Sequence, residues 1–518
     1  MSEVIAPQRQ GVFVGEVQQI QVHPYFNEQM SEHPLSPAYA DRLADLLPPD
    51  WHMHRQDVWL FARKTSIAAR GDHPHALTQG FKIHVSAAPQ YARRVLDVVV
   101  PVCVSHGTEF KIIGDPELHG FLNSKRQERG SSGKFMTVYP ANEESFKDLI
   151  EIIHQRTRDE EVAGPRILSD RQYKDSKILF YRYGGFYSPQ RVRIDGTHEF
   201  CLTSPAQEYV PDERLPYFRL PSWVSDPFQA DHDEDEDEAM GTVLLNNRYL
   251  IDSAMGFSNS GGIYFGIDSQ SQEAVFVKEA RPLTNCWTVG DEVWDATTLL
   301  RREYGTLQRL TDMDCIPRPI DCFEEAEHTF LVEQRITALT LRQYWALNDV
   351  ILAPYIRRPG RLAAWVDKFS SIAGSLIRMI QDIHERGVLL GDLSPENLLI
   401  DPRTMRMWLV DFESAVSQDD TKTVQHAALW GTPGFVNPTR LTRGRLVPED
   451  DFYAAAMTLY SGLASVTALF TLAPGAQELF LDRFVSLGLP LSVKNVITSL
   501  SQGAVNQAIT ELERLPRS

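Results

Sequence analysis

Apolar positions follow two periods along this chain. At Phe369, Ile372, Leu376, Ile380 and Ile383 they recur every three or four residues, the spacing of one buried helical face, and the pattern stops near Gly387. TLLRREYGTLQRL (298–310) reads the same way, with Leu299, Leu307 and Leu310 among its apolar positions. Elsewhere the period is two. FKIHVSA (81–87) and AVFVKEA (274–280) alternate as half-buried strands, and EFKIIGD (109–115) and FLVEQRI (330–336) carry further strand-like runs. Two short apolar runs, LLI (398–400) and MWLV (407–410), predict strands flanking a loop.

Composition bounds these elements. At 518 residues the chain exceeds one ordinary core, so two or three domains are expected. A hydrophobic content of 43% with 23% charged residues describes globular protein. No apolar run reaches bilayer length, and MSEVIAPQRQ lacks the features of a signal peptide, which predicts a cytoplasmic chain with no membrane partner. Cys103, Cys201, Cys286, Cys315 and Cys322 are scattered without a C-x-x-C pair, so neither zinc nor disulfides are expected. A net charge of −18 gives nucleic-acid binding no electrostatic support. DHDEDEDE (231–238) repels itself and stays solvated, which suits a linker between two blocks.

The second block carries an ordered set of phosphotransfer residues. Asp392, Asn397 and Asp411 have the spacing of a kinase catalytic loop followed by its metal-binding aspartate: an acceptor-orienting carboxylate, then two Mg²⁺ ligands. GFSNSGGIYFG (256–266) sits where a kinase folds its glycine-rich hairpin over nucleotide phosphates, with Gly256, Asn259, Gly261 and Gly262 as candidate contacts. Lys278 stands at the position that binds the α- and β-phosphates, and Glu303 is its expected partner on the following helix. FLVEQRI, with Glu333, is the expected hinge strand meeting the purine edge, and Asp451 lies on the helix that anchors a catalytic loop. Three departures stand out. Leu390-Gly391-Asp392 replaces His-Arg-Asp, Ser394 replaces a phosphate-contacting lysine, and Glu413 replaces the glycine of Asp-Phe-Gly. Some other cation is expected to serve in place of that lysine.

The first block is less explicit. Lys82 and His84, two apart on a strand, project from one face. Lys111 lies on a second run, and Arg129, Lys134 and Tyr139 surround a Gly-Ser turn, with Arg166, Arg171 and Arg182 further on. Gathered in one cleft, such arginines clamp phosphate, a lysine among cations becomes a usable base, and an imidazolium protonates a departing phosphate. Spacing alone does not separate this from a set of unrelated surface cations.

YRYGGF (181–186), FKIHV (81–85), GSSGKFMTVYP (130–140), SNSGGIYFG (258–266) and GDLSPENLLI (391–400) together resemble the class III lanthipeptide synthetases, and class IV enzymes are similar in these two domains. The resemblance implies a multidomain α+β fold. A phosphothreonine-lyase-like α+β domain (1–230) and an acidic linker (231–242) precede a bilobal protein-kinase-like domain (243–518), with an N-lobe at about 243–335 and a C-lobe at about 336–518. It implies phosphorylation of Ser or Thr in a leader-bearing precursor peptide by ATP or GTP with Mg²⁺, then loss of phosphate to dehydroalanine or dehydrobutyrine. By motif position Lys111 is the base, His84 the acid, Lys82 and Tyr139 tune the site, and Arg129, Arg166, Arg171 and Arg182 hold phosphate. The family's cyclase is not expected after ELERLPRS (511–518), so a separate cyclase or a missing C-terminal cyclase domain is implied. Two rivals remain: a Ser/Thr kinase with a non-catalytic peptide-binding N-terminal domain, and a catalytically dead leader-peptide scaffold.

Overall fold

Seven antiparallel strands organise the N-terminal half. The structure, a computed structural model, describes residues 36–65, 78–228, 243–348, 359–465, 467–473 and 475–515; the acidic linker expected at 231–242 lies outside the described residues. The elements run α1 (Pro37–Leu46), β1 (Trp51–Gln56), β2 (Trp59–Lys64), β3 (Gln79–Val85), α2 (Ala92–Ser105), β4 (Phe110–Ile113), α3 (Pro116–Leu122), β5 (Met136–Val138), α4 (Glu143–Thr157), β6 (Arg171–Gln172) and β7 (Leu179–Gly185). The sheet order is β1-β2-β4-β5-β3-β7-β6.

Strand alternation decides what each face of this sheet carries. Phe81, Ile83 and Val85 of β3 and Tyr181 of β7 join Val95, Val99, Phe146 and Leu149 of α2 and α4 in one core. Lys82 and His84 therefore point to the opposite face. Register brings Arg182 opposite Lys82 and Thr137 opposite His84, and Lys111 pairs with Thr137 from the other side. Cross-strand partners share a face. Three strands thus converge Lys111, His84, Lys82 and Arg182 on the side away from the helices.

The C-terminal half has two lobes. Strands β11 (Val243–Leu245), β12 (Tyr249–Ser258), β13 (Gly261–Asp268), β14 (Ala274–Ala280), β17 (Pro319–Glu325) and β18 (His328–Gln334) form an antiparallel sheet in the order β11-β12-β13-β14-β18-β17, and short strands β8–β10 (Gln190–Val192, His198–Thr203, Tyr209–Pro211) and β15–β16 (Trp287–Val289, Glu292–Trp294) precede and interrupt it. Helix α5 (Ala296–Arg309) packs on β17 and β18, its start capped by Asp295, which accepts from Thr298 N at 2.9 Å. The lower lobe is built on α6 (Leu341–Leu347) and α7 (Pro359–Glu385). Phe369, Ile372, Leu376, Ile380 and Ile383 of α7 are each at most 1% exposed, and burial of such a side chain stabilises by roughly 1.5–3 kcal/mol. Gly387, at φ +70°, turns the chain out of the helix in the left-handed region. The runs at Leu398–Ile400 and Met407–Leu409 pair with each other as a hairpin. Among the described residues no helix is long and apolar enough to cross a membrane.

Candidate active sites

In the C-terminal half, β14 alternates so that Val275 and Val277 are buried in the lobe while Lys278 enters the cleft. Lys278 Nζ lies 2.5 Å from Glu303 Oε1, 3.2 Å from Asp411 Oδ1 and 3.8 Å from Glu333 Oε1. Burial works against the charge, but Asp411, Glu303 and Glu333 hold the ammonium protonated, well above its ordinary value. Lys278 in turn keeps Asp411 down at about 2. Burial pushes Glu333 up to about 7, and its Oε1 has no hydrogen-bond partner among the described residues. Glu303 also accepts from Phe412 N at 2.8 Å, fastening the segment after Asp411 to helix α5.

The catalytic loop is fixed from below. Asp451, 1% exposed, accepts from Leu390 N (2.9 Å), Gly391 N (3.0 Å) and His384 Nε2 (2.8 Å). Arg440, also buried, donates to Gly391 O at 2.6 Å, a support that the sequence reading missed. Gly391 explains the departure from His-Arg-Asp: its φ is +77°, and an added Cβ would stand 2.8 Å from Ser414 O. Burial raises the Asp392 carboxyl above its usual range, and its Oδ1 accepts from Thr432 N at 2.8 Å. Asn397 Nδ2 donates to Asp392 O at 3.0 Å, so the amide oxygen of Asn397, like the carboxylate of Asp411, could hold a cation. These are hard oxygen ligands of the kind Mg²⁺ takes together with substrate phosphates.

The glycine-rich hairpin does not use all its expected contacts on nucleotide. Gly261 closes on Glu279 O and Gly262 on Tyr264, approaches that a Cβ would block, whereas Gly256 has open space beside it. Asn259 is corrected. It is fully buried against the N-terminal half, donating Nδ2 to Asn123 O and Ser124 O, both at 3.1 Å, and so is spent on a seam between the two halves. A cavity of about 150 Å³ lies beside that seam, lined by Lys125 and Arg126 of the first half and by Asp392, Glu413 and Gly431 of the second.

In the N-terminal half, Lys111 lies 4.1 Å from the Trp59 ring centre, and burial, with Arg214 and Lys134 nearby, pushes its amine down to about 7. Burial likewise drives Lys82 well below its ordinary value, with Arg182 adding to the effect, and brings Lys134 to about 8. His84 Nδ1 bonds Asp170; burial nevertheless takes the imidazole down to about 3, so it is neutral as folded and not the imidazolium the sequence suggested. Arg182 pairs with Asp212, and Gly184 keeps the space before them clear, since a Cβ there would lie 3.2 Å from Arg182 Nη2 and 3.3 Å from Lys82 Nζ. Tyr139 is buried on the same face, its phenol pushed far above the ordinary range by burial and Glu109. Lys82, Lys111, Lys134, Arg182 and Arg214 outnumber Asp170 and Asp212 in this cluster.

Three expected phosphate ligands fall elsewhere. Arg171 pairs with Tyr181 in the register, which puts it on the helix-covered face, where it bonds Asp226 at 2.5 Å and stacks on Phe218. Arg129 stacks on Phe257 of the glycine-rich hairpin at 4.6 Å. Arg166 is exposed, and its carbonyl receives Arg281 at 2.6 Å. Arg214, Asp212 and Asp170 went unnoticed because only the folded chain carries them back over the sheet.

Comparison with known proteins places both halves. The RamC N-terminal domain family matches residues 39–240 and the protein kinase domain family residues 249–483. A probable SapB synthase of Streptomyces coelicolor is 34% identical over 427 residues, 82% of this chain and 43% of that protein. Serine/threonine-protein kinase D of Synechocystis is 25% identical over 42% of this chain and 41% of its own length. A DNA damage-responsive serine/threonine-protein kinase of Deinococcus radiodurans is 28% identical over 42% of this chain and 30% of its own. The chain thus spans less than half the length of each. It is a multidomain α+β protein, with a domain of mixed helices and strands ahead of a kinase domain.

Proposed function

We propose that this chain, which joins a RamC N-terminal domain to a protein kinase domain and is 34% identical to a probable SapB synthase, acts as a class III lanthipeptide synthetase does and dehydrates Ser and Thr residues of a leader-bearing precursor peptide in two steps. The kinase domain first transfers the γ-phosphoryl group of ATP or GTP. Asp392 receives the hydroxyl proton, and Lys278, held by Glu303, steadies the phosphates under Gly256, Gly261 and Gly262. Asn397 and Asp411 would hold Mg²⁺, which neutralises charge on the triphosphate. Glu333, at the inner end of the expected hinge strand, faces the nucleotide from the floor of the cleft. Use of a nucleoside triphosphate supports a cytoplasmic location.

The N-terminal domain then eliminates the phosphate. Neutral Lys111 takes the α-proton, the electron pair forms the α,β double bond, and the β-carbon–oxygen bond breaks. The leaving phosphate takes a proton from His84. A phosphate dianion beside a neutral imidazole raises its pKa, so His84 acquires that proton as substrate enters. Lys82, Arg182 and Arg214 bind the phosphate oxygens, and Tyr139 positions the group. The observation that carries this reading is the convergence of Lys111 and His84 on one sheet face, with the lysine lowered to about 7 among cations. Asp392→Asn abolishes phosphorylation, while Lys111→Met lets phosphopeptide accumulate at about 80 Da per site. Undiminished dehydration by Lys111→Met, read by mass spectrometry, would contradict the assigned base.

A further inference from the structure

One of the departures from the kinase pattern, Glu413, meets a residue of the other domain, and a second, Ser394, leaves a cation missing from the site. Ser394 stands where kinases carry a phosphate-contacting lysine; it is 2% exposed, and its carbonyl receives Asn397 N at 3.1 Å. Glu413 replaces a glycine and forms an ion pair with Lys125 of the N-terminal domain. Both peptide groups of Lys125 are held by the kinase half. Its N–H donates to Asn285 Oδ1 (3.3 Å), and its carbonyl accepts from Asn259 N (3.2 Å) at the tip of the glycine-rich hairpin. Asn285 N bonds Asn123 O at 2.8 Å, so residues 123–125 are stitched to the upper lobe. The root of the side chain is therefore fixed, while the side chain itself is 48% exposed and lines one cavity with Asp392, Glu413 and Gly431.

Charge makes the same demand. Lys278 is already shared among Glu303, Glu333 and Asp411. A triphosphate entering beside those carboxylates and Glu413 needs a second cation near the transferred group.

We propose that Lys125 is a catalytic residue of the kinase site, contacting the phosphoryl group as it passes from nucleotide to peptide hydroxyl, a role that Ser394 does not fill. This rests on the phosphotransfer reading above. In the step, the peptide hydroxyl oxygen bonds to the γ-phosphorus and the bond to the β-phosphate oxygen breaks. Asp392 takes the hydroxyl proton, and Lys125 gains and loses none. Glu413 keeps the ammonium at the mouth of the cleft until phosphate competes for it. The kinase site is thus completed by the domain that consumes its product.

The test uses the full chain carrying Lys111→Met, with a Ser- and Thr-bearing precursor peptide encoded beside its gene, counting phosphorylated and dehydrated product together. Adding Lys125→Met lowers kcat about 100-fold. Nucleotide KM shifts by no more than about threefold, and Lys125→Arg, which keeps the cation, retains at least about a tenth of the rate. Lys125→Met alone, with Lys111 intact, eliminates phosphate from a pre-phosphorylated peptide at the unaltered rate. An unchanged kcat overturns the proposal, as does a loss confined to nucleotide KM, one that Lys125→Arg shares in full, or one that extends to elimination. If Lys111→Met with Lys125 intact modifies no peptide, the phosphotransfer reading itself fails, and this assignment with it.

Discussion

Lys111, the proposed base, owes its lowered amine to its neighbours: burial beside Trp59 and Phe61 comes first, and Arg214 and Lys134 further disfavour its charge. A base lowered to about 7 is neutral above that pH and protonated below it. Elimination from a pre-phosphorylated peptide is therefore expected to rise as pH increases through about 7 and to level above it; a rate that falls across the same interval contradicts the assignment. The arginines divide equally sharply. Arg214→Met should slow elimination roughly 10- to 100-fold by removing a phosphate-facing cation. Arg171→Ala should leave elimination unaltered and cost about 1–3 kcal/mol of stability, read by denaturant unfolding, because it removes the cation paired with Asp226, which keeps the neutral donors Tyr181 OH and Phe228 N. Lys82 and His84 were legible because strand parity needs no partner strand. Arg171 was not, since its face depends on how β6 registers with β7.

At the scale of the element, the catalytic loop shows why a familiar motif changes its letters. Its backbone passes Gly391 in the left-handed region, close to Ser414 O, with Asp451 and Arg440 bonded to the same turn. Restoring a kinase-like arginine by Gly391→Arg should thus harm the protein. The left-handed backbone alone costs about 1–2 kcal/mol for an L-residue, before the clash, and phosphorylation should fall with it. A variant as stable and active as the parent would refute this account of the loop. The helices and strands around the loop were readable from their periods, α7 and β14 above all. The hairpin tip was not, because a glycine-rich sequence looks the same whether it covers phosphate or docks on another domain.

The whole molecule joins its two halves through that tip. Asn259, Asn285 and Arg281 of the kinase half hold Asn123, Ser124, Lys125 and Arg166 of the other, contacts between residues more than a hundred apart that no local pattern announces. Asn259→Ala removes two hydrogen bonds from the seam, a cost of about 1–3 kcal/mol, although Asn285 N still donates to Asn123 O and Gln127 N to Ser124 O. It should slow phosphorylation while sparing elimination from a pre-phosphorylated peptide, as separate assays of the two half-reactions will show; equal losses in both would place the seam's role in folding alone. Serial action itself is read most directly from the mass of the precursor peptide after incubation with the protein, Mg²⁺ and nucleoside triphosphate. Losses of about 18 Da per modified Ser or Thr are expected, whereas gains of about 80 Da that persist with the unaltered chain would mean phosphorylation without elimination and contradict the proposed lyase.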